Sequence, residues 1–165
     1  MPFWQVTQDG LDYALEAEGL TDAGLRDTLL GLYKNLEAYP EVPAMLKALK
    51  GQGMTTAILS NGSMDMLDAA VSSAGIGEVL DAVISVEDVG VFKPDRRVYD
   101  LVGTKLGIEP AEVAFFSSNG WDATHASAYG FDATWVNRRG APLDRVGAPP
   151  ARQMDDLSGV PALFQ

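Results

Sequence analysis

Apolar side chains recur at three- and four-residue spacing over the first 50 residues: Leu11, Ala14 and Leu15, then Leu25, Leu29, Leu32 and Leu36. That period predicts helices with one apolar face. Thr7, and Thr21 or Asp22, stand where N-caps are expected. Pro40 and Pro43 bracket the start of a third helix, whose stripe of Met45, Leu46 and Leu49 runs into Gly51 or Gly53. From residue 54 the period changes. Short apolar runs at Thr55 to Leu59, Ala82 to Val86, Val113 to Phe116 and Thr134 to Val136 alternate with helical stretches near 63–75, 96–107 and 121–129. Strands apolar on both faces, interleaved with helices, predict an α/β fold with a mostly parallel sheet covered on both sides. Beyond Gly140 the prolines at 142, 149, 150 and 161 predict an irregular wrap ending in a short turn of helix.

The 165 residues bound one domain with room for a small appended one. Twelve basic against 23 acidic residues give a net charge of −11, which disfavours nucleic acid and anionic membranes as partners. A small anionic substrate is still compatible, because a buried pocket can be positive while the exterior repels. With no cysteine, disulfides and thiolate metal sites are excluded. Neither a secretory signal at Met1-Pro2-Phe3-Trp4-Gln5-Val6 nor a run of membrane-spanning length is readable, so the expected location is the cytoplasm.

Three blocks carry candidate chemistry. In Ile58-Leu59-Ser60-Asn61-Gly62 a strand ends in a hydroxyl and an amide before a helix that begins near Ser63, a corner able to bind an anion or simply a self-satisfied turn. In Lys93-Pro94-Asp95 the proline keeps Lys93 out of the following helix, Asp95 can cap that helix, and Lys93 can turn inward or lie on the surface. In Ser117-Ser118-Asn119-Gly120-Trp121-Asp122 a third strand opens into a helix whose first turn holds Asp122, either as a site carboxylate or as a partner of the helix dipole.

In this order, the three blocks resemble the second, third and fourth motifs of the haloacid dehalogenase superfamily, and most closely its L-2-haloacid dehalogenases. The resemblance runs over essentially the whole chain. It implies a Rossmann-like core over 41–165 and a partial helical cap over 1–40. The superfamily's phosphatases place acidic residues in the fourth motif to hold magnesium. Here Ser118 and Asn119 stand there, so the resemblance implies no metal and no cofactor.

The implied reaction is hydrolytic: an aspartate displaces halide from a short 2-haloacid, and water cleaves the resulting ester to a 2-hydroxyacid. By motif matching, Ser60 binds the substrate carboxylate, Lys93 orients the nucleophile, and Asn61 and Trp121 cradle the halide. Ser117, Asn119 and Asp122 hold Lys93 and the nucleophile and position water. Tyr99 lines the pocket, and Phe3 belongs to the cap wall. His125 receives no role and is expected to be structural.

The family's nucleophile lies in an Asp-x-x-Gly-Thr pattern ending the first strand; the one match here, Asp100-Leu101-Val102-Gly103-Thr104, lies within the helical stretch 96–107, and none follows a strand. The first central strand is therefore expected to be absent from the chain, leaving a slot between the strands at 55–59 and 113–116. The halide-binding arginine of the cap is likewise missing. The expected partners are the 2-haloacid and either a second copy, in a homodimer, or an N-terminal segment that complements the site. The alternatives are a non-catalytic remnant that binds a small carboxylate or a partner chain, and, more remotely, a phosphatase of the same superfamily.

Overall fold

The computed structural model describes residues 1–165, apart from the side chain of Ala23. The chain divides into two compact units, Met1–Asp88 and Val89–Gln165.

The first unit begins with α1 (Phe3–Ala17) and α2 (Ala23–Leu32), followed by α3 (Val42–Gly51), β1 (Ala57–Ser60), α4 (Met64–Ala74) and β2 (Ala82–Ser85). Asp22 caps α2 by accepting from the Gly24 N–H at 2.8 Å. Thr7 is no cap: α1 starts after Pro2, and the Thr7 hydroxyl donates back to the Phe3 carbonyl inside the helix. The leucine stripe also reads differently in three dimensions. α2 ends at Leu32, so Leu36 lies beyond it, and the residue that α2 buries is Leu30. Pro43 sits in the first turn of α3, where its missing N–H costs nothing, and Met45 and Leu49 are buried one turn apart. β1 and β2 pair in parallel, Ala57 with Ala82 through Ser60 with Ser85.

The second unit holds α5 (Arg96–Leu106), β3 (Ala114–Ser117), α6 (Gly120–Tyr129), β4 (Asp132–Val136) and β5 (Arg152–Met154). Asp95 caps α5 through the Arg97 N–H at 3.0 Å. α5 buries Val98, Tyr99, Leu101 and Val102 on one face, and each aliphatic member of that row contributes about 1.5–3 kcal/mol by leaving water. On α6 the buried face is small, Ala123 and Ala126 being fully covered, and this lets the helix lie close to its sheet. The strands run in the order β3-β4-β5, all parallel.

The tail is therefore not wholly an irregular wrap. Arg152-Gln153-Met154 adds a strand to β4, joined through backbone bonds that need no apolar side chains, and the expected terminal turn of helix follows at Val160–Phe164.

Among the described residues β1 pairs only with β2, and β3 only with β4. The consequence is visible in burial. β4, flanked on both sides, is buried at four of its five positions, whereas the equally apolar β3 is only half-buried at all four of its own. No described helix is long and apolar enough to cross a membrane.

Candidate active site

The second unit brings four of the sequence candidates into one hydrogen-bonded cluster. Asp122 lies in the first turn of α6, where the helix dipole favours a carboxylate, and its side chain is 5% exposed. Three elements converge on it. Lys93 Nζ, from the loop before α5, donates to Oδ2 at 3.0 Å. Ser117, the last residue of β3, donates its hydroxyl to the same oxygen at 2.9 Å. Tyr99 of α5 donates its hydroxyl to Oδ1 at 2.9 Å.

The Lys93 side chain is 7% exposed and its ammonium also stands 4.9 Å over the Phe115 ring. Burial lowers its pKa below the ordinary lysine value, and the Asp122 carboxylate works against that shift. Tyr99 moves the opposite way. Burial first, then the Asp122 charge and hydrogen bond, push its phenol well above the ordinary tyrosine value. The ring is fixed edge-on against Phe115 and Phe131, so the hydroxyl has little freedom to leave. The Lys93–Pro94 peptide is cis.

Asn119 is the N-cap position of α6 but makes no side-chain cap bond. Its backbone N–H donates to Ser117 Oγ at 3.2 Å. Trp121 is half-buried, and its carbonyl meets the His125 ring Nδ1 at 2.7 Å, which gives that lone histidine a local structural bond.

The first unit holds the remaining candidates. Ser60 ends β1, and its hydroxyl accepts from the Gly62 N–H at 3.0 Å, which leaves its own O–H to donate. Gly62 is buried so tightly that a Cβ there would lie 3.1 Å from Leu67. Its carbonyl accepts from Ser85 Oγ at 2.7 Å, tying the turn to the end of β2. Asn61 lies half-buried between these two fixed residues. The helix corner is partly occupied by the protein itself, because Glu87 Oε2 accepts from the Met64 N–H at 3.1 Å. Phe3 opens α1 and is half-buried.

A family model described as haloacid dehalogenase-like hydrolase matches residues 3–130. The (S)-2-haloacid dehalogenase 1 of Pseudomonas sp. strain CBS-3 is 44% identical over 163 residues, a stretch that covers 98% of this chain and 72% of that protein. This chain belongs to the haloacid dehalogenase-like hydrolases. Two solved structures agree in fold with this haloacid dehalogenase-like chain. One, of a dehalogenase, is 41% identical with a TM-score of 0.94, and the match covers 99% of this chain and 73% of that one. The other, an L-2-haloacid dehalogenase from Xanthobacter autotrophicus with chloropropionic acid covalently bound, is 35% identical with a TM-score of 0.89, covering 99% and 76%.

Two residues that shape this hydrolase's site region carried no sequence signal of their own. Glu87 stands 23 positions from the amide it caps, and Trp135, inside an apolar strand, donates its indole N–H to the Ser118 carbonyl at 3.2 Å. Only the strand pairings, Ser60 with Ser85 and Ser117 with Trp135, make those separations short.

Proposed function

We propose that this chain handles substrate and water in the hydrolytic dehalogenation of short 2-haloacids to 2-hydroxyacids, in the cytoplasm and without metal or cofactor. The observation that carries the reading is the Lys93–Asp122–Ser117–Tyr99 cluster at the C-terminal end of β3, beside a strand edge that has no partner among the described residues. The Asp122 carboxylate is spent on three donors and is badly placed to attack a substrate. It is well placed to hold an ammonium. Lys93, so held, offers positive charge to a further carboxylate arriving on the open side of β3.

The roles follow. A carboxylate from outside these residues attacks C2 of the haloacid, the carbon–halogen bond breaks, and halide leaves with the bonding pair. Ser60 donates its free O–H to the substrate carboxylate, and Asn61 and Trp121 receive the halide. Water then adds to the ester carbonyl, releasing the 2-hydroxyacid and regenerating the carboxylate. Asn119, Ser117 and Asp122 position that water. Tyr99 acts by orienting Asp122, and Phe3 contributes to the wall of a cap formed by residues 1–40 over a core of 41–165.

The nucleophile arrives on an N-terminal segment that complements the site, so the 165 residues alone, as monomer or homodimer, are inactive. Halide release from 2-chloropropionate tests this. The isolated chain should match a heat-killed control, and a version extended by an Asp-x-x-Gly-Thr strand should release chloride. Chloride from the isolated chain, or none from the extended one with any 2-haloacid, overturns the proposal. Calorimetric titration with 2-hydroxypropionate separates the remnant reading, which predicts binding without turnover in both forms.

A further inference from the structure

Trp135 pairs with Ser117 across the β3–β4 ladder, and its ring reaches past the strand end to the turn that opens α6. That turn is thinly held. Ser118 and Asn119 are exposed, α6 has no side-chain cap, and the Ser117 hydroxyl on the Asn119 amide is a short local tie. The bond from farther away is the indole N–H of Trp135, itself 5% exposed, to the Ser118 carbonyl.

The same ring backs onto Gly120. A Cβ at Gly120 would stand 3.5 Å from Trp135 Cε2, 3.2 Å from Leu143 Cδ1 and 2.9 Å from Asp144 Oδ2, the last too close for any real side chain without a shift. The segment bearing Leu143 and Asp144 is itself pinned. The Asn137 side-chain amide donates to the Ala141 carbonyl and accepts from the Ala141 N–H, each at 2.9 Å. Farther along, Gly147 lies so close to Thr124 of α6 that a Cβ would be 3.2 Å from its methyl.

We propose that Trp135, backed by the Leu143–Asp144 segment, is a positioning residue that clamps the Ser118–Trp121 turn and thereby sets where Asn119 and Trp121 stand. The Trp135 hydrogen bond fixes the carbonyl before Asn119, and close packing on Gly120 fixes the backbone after it. Asn119 itself is left exposed, with its side chain unspent on the helix cap. The functional meaning of that placement rests on the dehalogenase reading; the clamp does not.

Trp135→Phe keeps most of the ring and removes the donor. Losing this bond from β4 should raise amide exchange about tenfold at Asn119 and Ala123, the hydrogen-bonded amides of the turn, the effect of a net hydrogen bond, and shift the resonances of Asn119 to Ala123. Amides of α5 and β4 should stay as they were. A Trp135 that only fills the core predicts instead a uniform rise across Val89–Gln165, and that result, or no change at all, overturns the proposal.

Gly120→Ala gives an independent arm, with Trp135 intact. It should perturb the same amides, because the exposed Asp144 carboxylate can turn aside but the half-buried Leu143 must give, and adding Leu143→Ala should restore them. A response to Gly120→Ala spread evenly over Val89–Gln165, or a double variant no better than the single one, also overturns the clamp. The affinity of each variant for 2-hydroxypropionate should fall with the amide response. An amide response without any binding by the parent chain counts against the dehalogenase reading and leaves the clamp standing.

Discussion

The Tyr99 hydroxyl donates to Asp122 Oδ1 across 2.9 Å, and neither residue is more than 4% exposed. A hydrogen bond to a buried carboxylate is worth more than an average one, because the acceptor is charged and water cannot replace the donor. Tyr99→Phe should therefore lower unfolding stability by about 1.5–3 kcal/mol. Urea denaturation measures it. A loss within experimental scatter would mean that Asp122 is held by Lys93 and Ser117 alone.

The burial of Tyr99, reinforced by the charge and hydrogen bond of Asp122, makes stability depend on alkaline pH. Tyr99 keeps its proton in the folded chain at pH values where the unfolded chain releases it, so the native state binds more protons. Its contribution is present below the ordinary tyrosine value of about 10 and is lost as pH rises beyond it. Lys93 has the opposite sign: its pKa is lowered, so stability rises with pH until the unfolded lysine also deprotonates near 10.4. Above that pH only the falling contributions remain. Tyr129 supplies a second one, its phenol pushed up to about 12 chiefly by burial, with Asp100 adding to the shift. Urea midpoints taken from pH 8 to 12 should fall above pH 10.5, and Tyr99→Phe should flatten that fall without abolishing it.

Lys93 and Asp122 are a buried pair, and removing one partner strands the other. Lys93→Met should cost about 3–5 kcal/mol, because the remaining carboxylate keeps its desolvation penalty and loses its countercharge. Asp122→Asn should be similarly costly, since it leaves a buried ammonium. The double variant buries no charge, so its loss should be clearly smaller than the sum of the two. Additive losses in a denaturation cycle would show that the two groups do not share one electrostatic environment.

Much of the set of candidate residues is legible in the sequence, for a physical reason. Parallel strands buried on both faces are written as short apolar runs, and the residues just past their ends must be polar and cap-like, so Ser60, Lys93 and Asp122 announce themselves. The bond between Tyr99 and Asp122 did not, because a tyrosine among Val98, Leu101 and Val102 reads as core until its hydroxyl has a partner. β5 escaped for the opposite reason. Arg152-Gln153-Met154 lies at the edge of its sheet and is held by backbone bonds to β4, which leave no trace in side-chain pattern. Thr7 misled because a hydroxyl inside a helix can bond back to the carbonyl four residues earlier as well as cap a new turn.

The unpaired edge of β3 leads to the last prediction. In a parallel strand successive residues direct their N–H and C=O groups to alternate sides, so only alternate positions of Ala114–Ser117 can bond to β4. The other N–H groups face the open edge. In the isolated chain they should exchange nearly as fast as a turn's, while Thr134 and Trp135 of β4, paired on both sides, should be strongly protected. The exposure of Phe115 and Phe116 has the same origin, since a neighbouring strand would cover the flank of each ring. If the carboxylate that Lys93 awaits arrives on a strand seated there, supplying the Asp-x-x-Gly-Thr segment should slow exchange at those β3 positions. Hydrogen exchange resolved to single amides is the measurement. Slowing at the Lys93 loop without any at β3 would show that the segment binds without entering the sheet, and would separate the origin of the nucleophile from the open edge.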